Sequence, residues 1–390
     1  MELTLSNIVL IVAAAQASLL SLLIYQKHRN LFANRFLSLL MASYTITLVH
    51  LLLQDTGYYR HVPFVFIVVG IPLAAFPFHY FYTKYLISRA IEFTKNDWLH
   101  LLPFFFFEAY LAAGVVSGNL DFSILSALPP SETPGLFKLF NGMIIVQGLT
   151  YTGISYRLVT GYHKQIKEVL SSIEHVQLYW LKNITIAGFS ALILFLTEDL
   201  LLANGVNISN FILSSVVFAV YVYGMGYIGL LKTEIFASPD ADREMHEVID
   251  IESAAAVESR EKYERSGLTE DAAQKHLQQL LKLMEDQKPY LNSELTLSQL
   301  ASMLDISPHN LSEVINSLQK QNFYDFINRY RVEQIKKELL DPSKQHLKIL
   351  SIAFDAGFNS KATFNSLFKQ QTGMPPSEYR KKNSTLHENK

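Results

Sequence analysis

The first 231 residues are dominated by apolar runs, whereas the rest of the chain has the composition of an ordinary soluble protein. Seven apolar segments can be marked, and each is close to the ~20 residues that a helix needs to span a bilayer. They cover residues 6–26, 36–54, 62–86, 98–117, 137–157, 180–203 and 207–231. The fifth has the weakest pattern, because glycine, glutamine and threonine dilute it. The pattern predicts a seven-helix transmembrane bundle, with residues 1–232 as a membrane domain that senses a signal.

Positive charge is distributed unevenly among the loops between these segments. One set of loops carries Lys27, Arg29, Arg35, Lys84, Arg89, Lys95, Arg157, Lys164, Lys167, Lys182 and Lys232. The alternate set carries Arg60, with Lys138 at a segment edge. Because basic loops stay on the cytoplasmic side, we expect the N-terminus outside and the chain to emerge inside after seven crossings. The predicted location is the inner (cytoplasmic) membrane, multi-pass, with the C-terminal domain in the cytoplasm.

An acidic linker is predicted over residues 233–267, where large apolar side chains are few. Two interpretations are open for its negative charge. The linker could cover a basic face of the following domain and inhibit it, or it could be a solvated tether, which is the favoured interpretation. A helical pattern then begins after Thr269, which can cap it, and opens the C-terminal domain at residues 268–390.

Residues 348–371 have the pattern of two short helices joined by a tight turn. Apolar residues recur at helical spacing on both sides of Gly357, which suits a left-handed turn residue. Asn359 or Ser360 can cap the second helix through a side-chain oxygen. Two short helices with such a turn are what a DNA-reading helix-turn-helix requires.

A weaker copy of this pattern lies at residues 296–318. Thr296 and Gln299 have the spacing of a capping box, and Ser307 can cap a second helix that begins with Pro308. Between the two copies, residues 323–340 predict one helix of roughly 27 Å at about 1.5 Å per residue. A duplex turn measures about 34 Å, so this connector could set two reading helices into successive major grooves.

The segments LTLSQLA, SPHNLSEVIN, FYDFINRYRVE, IAFDAGFNSKATFNSLFK and TGMPPSEYR occur here in one characteristic order and spacing. In these residues the C-terminal third of the chain resembles the two-part DNA-binding domain of the AraC family of bacterial transcription regulators. The resemblance implies sequence-specific binding to double-stranded promoter DNA and contact with RNA polymerase. The predicted fold class is therefore all-α, a seven-helix transmembrane bundle followed by a cytoplasmic domain with two helix-turn-helix subdomains.

Base reading requires side chains on the outward face of the second helix of each unit. The apolar pattern and the resemblance both indicate the early positions of these helices, namely His309, Ser312, Glu313, Lys361, Ala362 and Asn365. The alternative for each is an exposed residue that lies near phosphate or touches nothing. Candidate phosphate contacts are Lys320, Arg329, Lys336, Lys337, Lys348, Lys369 and Arg380. Arg331 could join them, but it resembles a family position for which a structural role is the alternative.

Ionisable residues at membrane depth are costly and are therefore candidates for function. The candidate signal-site residues are Glu108, Glu198, Asp199 and His79. Structural roles are the alternative for this group, and Glu198 and Asp199 could simply reach water near a helix end. The expected signal is a small molecule or a peptide.

The sequence carries no strong catalytic signature, no convincing metal spacing among its 12 histidines and no cysteine. We therefore expect no enzymatic activity, no cofactor and no metal. Two rivals are a membrane enzyme or transporter with a regulatory DNA-binding tail, and a regulator that is only passively anchored to the bilayer. A homodimer is a further possibility that the sequence leaves open.

Overall fold

The protein is described by a computed structural model for residues 4–27, 31–56, 58, 69–88, 92–118, 135–174, 176–203, 212–232 and 269–388. The elements found in these residues are helices, in agreement with the predicted all-α fold class. The chain divides into two compact units. The first comprises Met1–Gly161 and Leu178–Glu234, and the second comprises Tyr162–Gln177 and Ile235–Lys390.

The first unit is built from long apolar helices. They are α1 (Leu5–Tyr25), α2 (Leu31–Asp55), α3 (Ile71–Ser88), α4 (Leu102–Val116), α5 (Gly135–Val169), α6 (Tyr179–Ala203) and α7 (Ile212–Lys232). A 3₁₀ helix at Lys95–Leu101 leads directly into α4. Helix α1 packs against α2 and α7, α2 against α3, and α6 against α7.

Five of the described helices are long and apolar enough to cross a membrane. These candidate spans are Leu5–Tyr25, Phe32–Leu53, Lys95–Val116, Tyr179–Glu198 and Leu213–Lys232. Helices α3 and α5 occupy the third and fifth predicted segments, but they are not among the candidate spans. Pro77 lies inside α3, and the start of the third predicted segment lies outside the described residues. Seven crossings and their orientation therefore stay predictions.

The second unit contains the remaining helices, the last turns of α5 and the loop between α5 and α6. Its helices are α8 (Glu270–Asp286), α9 (Leu297–Met303), α10 (Pro308–Leu318), α11 (Phe323–Leu340), α12 (Ile349–Asp355), α13 (Lys361–Thr372) and α14 (Pro376–Glu388). Thr269 caps α8, as predicted. The predicted acidic linker, residues 233–267, lies outside the described residues.

Helix α11 connects two hydrophobic cores. The side chains of Phe323, Phe326 and Ile327 pack into the core that α8, α9 and α10 form. One turn further on, Val332 and Ile335 pack into a second core with α12 and α13. One core therefore packs on the first half of this 18-residue helix and the other core on its second half. This helix is the connector predicted from the sequence.

Candidate DNA-binding site

The first helix-turn-helix begins with the predicted capping box. The backbone N–H of Gln299 donates to Thr296 Oγ1 at 3.2 Å, and the Thr296 N–H donates to Gln299 Oε1 at 3.1 Å. Each bond satisfies a donor that the start of α9 would otherwise leave unpaired. Helix α10 begins at Pro308, after Ser307 has accepted a hydrogen bond from the Asn310 N–H at 3.2 Å.

The second helix-turn-helix turns at Gly357, whose φ is +96°. A Cβ atom at this position would lie 2.5 Å from the Tyr290 carbonyl oxygen and 2.9 Å from Arg331 Nε. Glycine is therefore required by both the backbone conformation and the space. Of the two predicted caps, Ser360 is the one observed, because its Oγ accepts from the Thr363 N–H at 3.3 Å.

The buried face of each second helix leaves the base-reading candidates on the opposite side. Leu311, Val314 and Ile315 of α10 are fully buried, whereas His309, Ser312 and Glu313 are half-buried. On α13, Phe364 and Phe368 are buried, while the outward face is exposed and carries Lys361, Ala362 and Asn365. The structure thus distributes the six candidates over one face of each second helix.

The candidate phosphate contacts have different surroundings. Lys320, Lys337, Lys348 and Lys369 are exposed. Lys336 pairs with Glu333 at 2.8 Å, and Arg329 donates to Gln319 Oε1 at 3.2 Å while lying over the Phe326 and Tyr330 rings. Arg380 donates from Nη1 to the Leu347 carbonyl at 3.0 Å. Arg380 therefore has a structural role, because this hydrogen bond holds α14 to the loop before α12.

Arg331 is buried within the second unit. It has 1% of its surface exposed. Its Nε donates to the Tyr290 carbonyl at 2.8 Å, and Nη2 donates to the Asn292 carbonyl at 2.7 Å. Burial lowers the pKa of Arg331 to about 10, and the Glu174 carboxylate opposes this shift. The guanidinium is therefore charged at neutral pH but is directed at protein carbonyls, so Arg331 has the structural role rather than the phosphate contact.

A segment outside the C-terminal domain completes the set of partners around Arg331. Its Nη1 donates to the Ser171 carbonyl at 2.9 Å, and its Nη2 donates to Ser171 Oγ at 3.0 Å. Ser171 is itself 1% exposed. It belongs to the loop between α5 and α6, 160 residues earlier in the chain. The sequence contained no local signal for this contact, because a serine in a short loop has many ordinary roles.

Two helix-turn-helix units on one connecting helix define a double helix-turn-helix, a DNA-binding fold. Residues 300–382 match the sequence model of a family described as "Helix-turn-helix domain". The C-terminal part of the chain is accordingly an AraC-type helix-turn-helix domain.

Two known proteins are each similar to about a quarter of the chain. An uncharacterised HTH-type transcriptional regulator of Staphylococcus aureus (strain COL) is 31% identical over 100 residues, which are 26% of this chain and 13% of that relative. The chain thus spans a small fraction of the length of this curated relative. A solved structure of a protein of unknown function from Listeria innocua is 28% identical and covers 27% of this chain and 94% of its own, with a TM-score of 0.24.

The candidate signal-site residues of the first unit have different surroundings. Glu108 Oε1 accepts a hydrogen bond from the Gly70 N–H at 3.1 Å. Glu198 is buried, with 4% of its surface exposed, whereas the side chain of Asp199 lies outside the described residues. Of the four candidates, His79 lines a cavity of the first unit that is enclosed by described residues.

This cavity has a volume of about 260 Å³. Helices α2, α3, α5, α6 and α7 all contribute to its mainly apolar wall. A few polar groups interrupt this wall: His79 Nε2 lies 3.4 Å from Thr185 Oγ1, and Tyr44 donates to the Tyr221 hydroxyl at 3.4 Å. The described residues offer no hydrogen-bond partner to His79 Nδ1, which is buried.

Proposed function

We propose that the chain is a membrane-embedded transcription regulator that couples a signal at the membrane to promoter binding through its double helix-turn-helix. The observation that carries the proposal is one helix, α11, shared by the cores of two helix-turn-helix units. At about 1.5 Å per residue its length is roughly 27 Å, which suits two reading helices in successive major grooves of one duplex.

The surface of the first unit supports the membrane part of the proposal. Large apolar side chains point outward from several helices, including Leu19 on α1 at 57% exposed, Phe106 on α4 at 72% and Val220 on α7 at 65%. Exposed apolar side chains of this size are costly in water, whereas lipid chains cover them without that cost. The bilayer is therefore the proposed environment of this unit, and the cytoplasm is that of the DNA-binding domain.

Base reading and phosphate contact have different consequences for affinity, so paired variants test the DNA-binding role. Full-length protein in lipid nanodiscs would first select duplexes from a random-sequence pool. We expect Asn365→Ala to relax the preference at one base position, by about 1–3 kcal/mol, because asparagine reads adenine with two hydrogen bonds. Lys369→Ala should instead weaken binding to all duplexes. The slope of log binding constant against log salt concentration should fall in magnitude by about 1.

A protein that bound every duplex in the pool equally would contradict sequence-specific regulation. If both variants behaved alike, the assignment of Asn365 to base reading would be wrong. RNA polymerase and a second copy of the chain are further proposed partners. Promoter occupancy in cells, with and without added signals, would show the sign of regulation.

We propose the cavity of the first unit as the signal site. Its mainly apolar wall suits the body of a neutral amphiphile, and the polar groups at His79 and Thr185 suit one hydroxyl or carbonyl on that ligand. This assignment uses His79 among the four candidate signal-site residues and gives no role to Glu108, Glu198 or Asp199. The ligand class proposed is therefore a small, neutral, mostly apolar molecule with a single hydrogen-bonding end.

Cavity filling tests this assignment for a ligand whose identity is open. Ala191 lines the cavity and is buried, so Ala191→Leu should displace a bound amphiphile. Ala113 on α4 is exposed, and Ala113→Leu is the matched control. We expect organic extraction and mass spectrometry to find one molecule with the unmodified protein and the control but not with Ala191→Leu. No enriched molecule in any sample would favour the passive anchor.

A further inference from the structure

The loop between α5 and α6 adds a short strand-like contact to the DNA-binding domain. Within the second unit, Leu170 and Thr296 form an antiparallel bridge, and the Ser171 N–H donates to the Leu295 carbonyl at 3.2 Å. We call residues 168–174 the docking segment. Thr296 is the residue that caps α9, so the docking segment lies at the start of the first helix-turn-helix.

The docking segment is also bonded to the connector α11. The Ser171 carbonyl accepts from Arg331 Nη1 at 2.9 Å and from Asn328 Nδ2 at 3.0 Å. Arg331 and Asn328 are each 1% exposed. Charge-assisted bonds of this kind are stronger than neutral ones, and buried donors are costly to leave unpaired. The docking is therefore a specific, buried contact centred on Ser171 rather than a loose surface contact.

Two further bonds lead from the docking segment to the DNA-reading elements. Glu168 Oε2 accepts from Asn316 Nδ2, on the outward face of α10, at 3.1 Å. Ser172 Oγ donates to Asn359 Oδ1, next to the cap of α13, at 3.0 Å. The docking segment thus reaches both helix-turn-helix units and the helix between them. It also places the Glu168 carboxylate against a helix that must approach phosphate groups.

We infer that the docking segment is an intramolecular competitor of DNA for the DNA-binding domain. This inference rests on the proposed function. The Glu168 carboxylate, which lies at Asn316, repels the phosphate backbone. The bonds from the docking segment to both helix-turn-helix units fix the spacing of α10 and α13 independently of DNA. The competitor is continuous with α5 and α6, two helices that line the signal cavity. A ligand that shifts either helix would therefore withdraw the segment and free the reading helices.

A reversible disulfide can hold the docking segment in place. Leu170 and Thr296 lie opposite each other as a non-hydrogen-bonded pair, because the backbone hydrogen bond of this bridge joins Ser171 to Leu295. Such antiparallel pairs have Cα atoms about 4.5 Å apart, which is within the range that a disulfide bridges. The natural chain has no cysteine, so Leu170→Cys combined with Thr296→Cys can form one intramolecular disulfide only.

The experiment uses the full chain in nanodiscs and a duplex selected by its reduced form. We expect oxidation to weaken binding by about tenfold, in the range of typical coupling between sites, and dithiothreitol to restore it. Each single-cysteine variant, treated with the same oxidant, is the control. Equal or tighter binding by the oxidised pair would overturn the competition, and failure of the pair to cross-link would overturn the docked geometry.

A second variant tests the inhibitory charge without a cross-link. Glu168→Gln retains an oxygen that can accept from Asn316 but removes the negative charge. We expect it to bind the same duplex several-fold more tightly at low salt, with the difference shrinking as salt rises. Unchanged affinity at every salt concentration would contradict the role of Glu168. A reduced chain without any sequence preference would instead contradict the proposed function itself.

Discussion

Arg331 and Gly357 meet at the junction between the two helix-turn-helix units. Arg331 donates five hydrogen bonds, from all three of its nitrogens, to oxygens of Ser171, Tyr290, Asn292 and Asn328. A lysine could not replace this fork, because its ammonium presents three donors from a single atom. Because Gly357 has no side chain, the Tyr290 carbonyl and the Arg331 guanidinium can meet beside it.

The two left-handed glycines of the second helix-turn-helix provide a matched pair of variants. Gly373→Ala should lower the free energy of unfolding by about 1–2 kcal/mol, which is the strain of a left-handed alanine. No steric cost is added, because a Cβ at this position would meet nothing within 4 Å. Gly357→Ala should cost at least about 2 kcal/mol more, because its Cβ would overlap a backbone oxygen. Pulse proteolysis of the full chain in urea measures both. Equal losses would show that the junction can relax.

At the scale of helices, Ser360 both starts α13 and lies beside its base-reading candidates. Ser360→Ala should destabilise the second unit by about 1 kcal/mol, because the Thr363 N–H loses its partner. DNA affinity should fall with it, as the first turn frays. Ser360→Asp keeps the cap but adds negative charge where phosphate approaches, so stability should return while affinity stays low. Recovery of both properties would place this turn away from DNA.

The helices of the second unit could be predicted because their ends are set by nearby residues. The cap at Thr296, Pro308 at the start of α10 and Gly357 in the turn act within a few positions of themselves. The docking segment could not be predicted, since its side-chain bonds to the domain join residues 148 to 187 positions apart, and two of them end on a backbone carbonyl. Likewise, Arg331 has the appearance of a phosphate contact until its buried partners are known.

At the scale of the molecule, hydropathy predicted long helices but could not decide how many of them are able to cross a bilayer. Five described helices are long and apolar enough to cross a membrane. Helix α5 has 35 residues, longer than a span requires, and its last turns belong to the second unit. A helix that serves two environments has a mixed composition, so averaging over a window obscures the part that would lie in lipid.

The two ends of α4 and its leading 3₁₀ helix test the proposed orientation. Asn96 and Ser117 are both exposed and lie at opposite ends of one candidate span. Since the natural chain lacks cysteine, Asn96→Cys and Ser117→Cys each provide a single labelling site. In intact cells an impermeant maleimide should label Ser117→Cys, whereas Asn96→Cys should react only after the membrane is permeabilised. The reverse pattern would put the inward end of this helix outside, and equal labelling would mean that α4 does not cross the membrane.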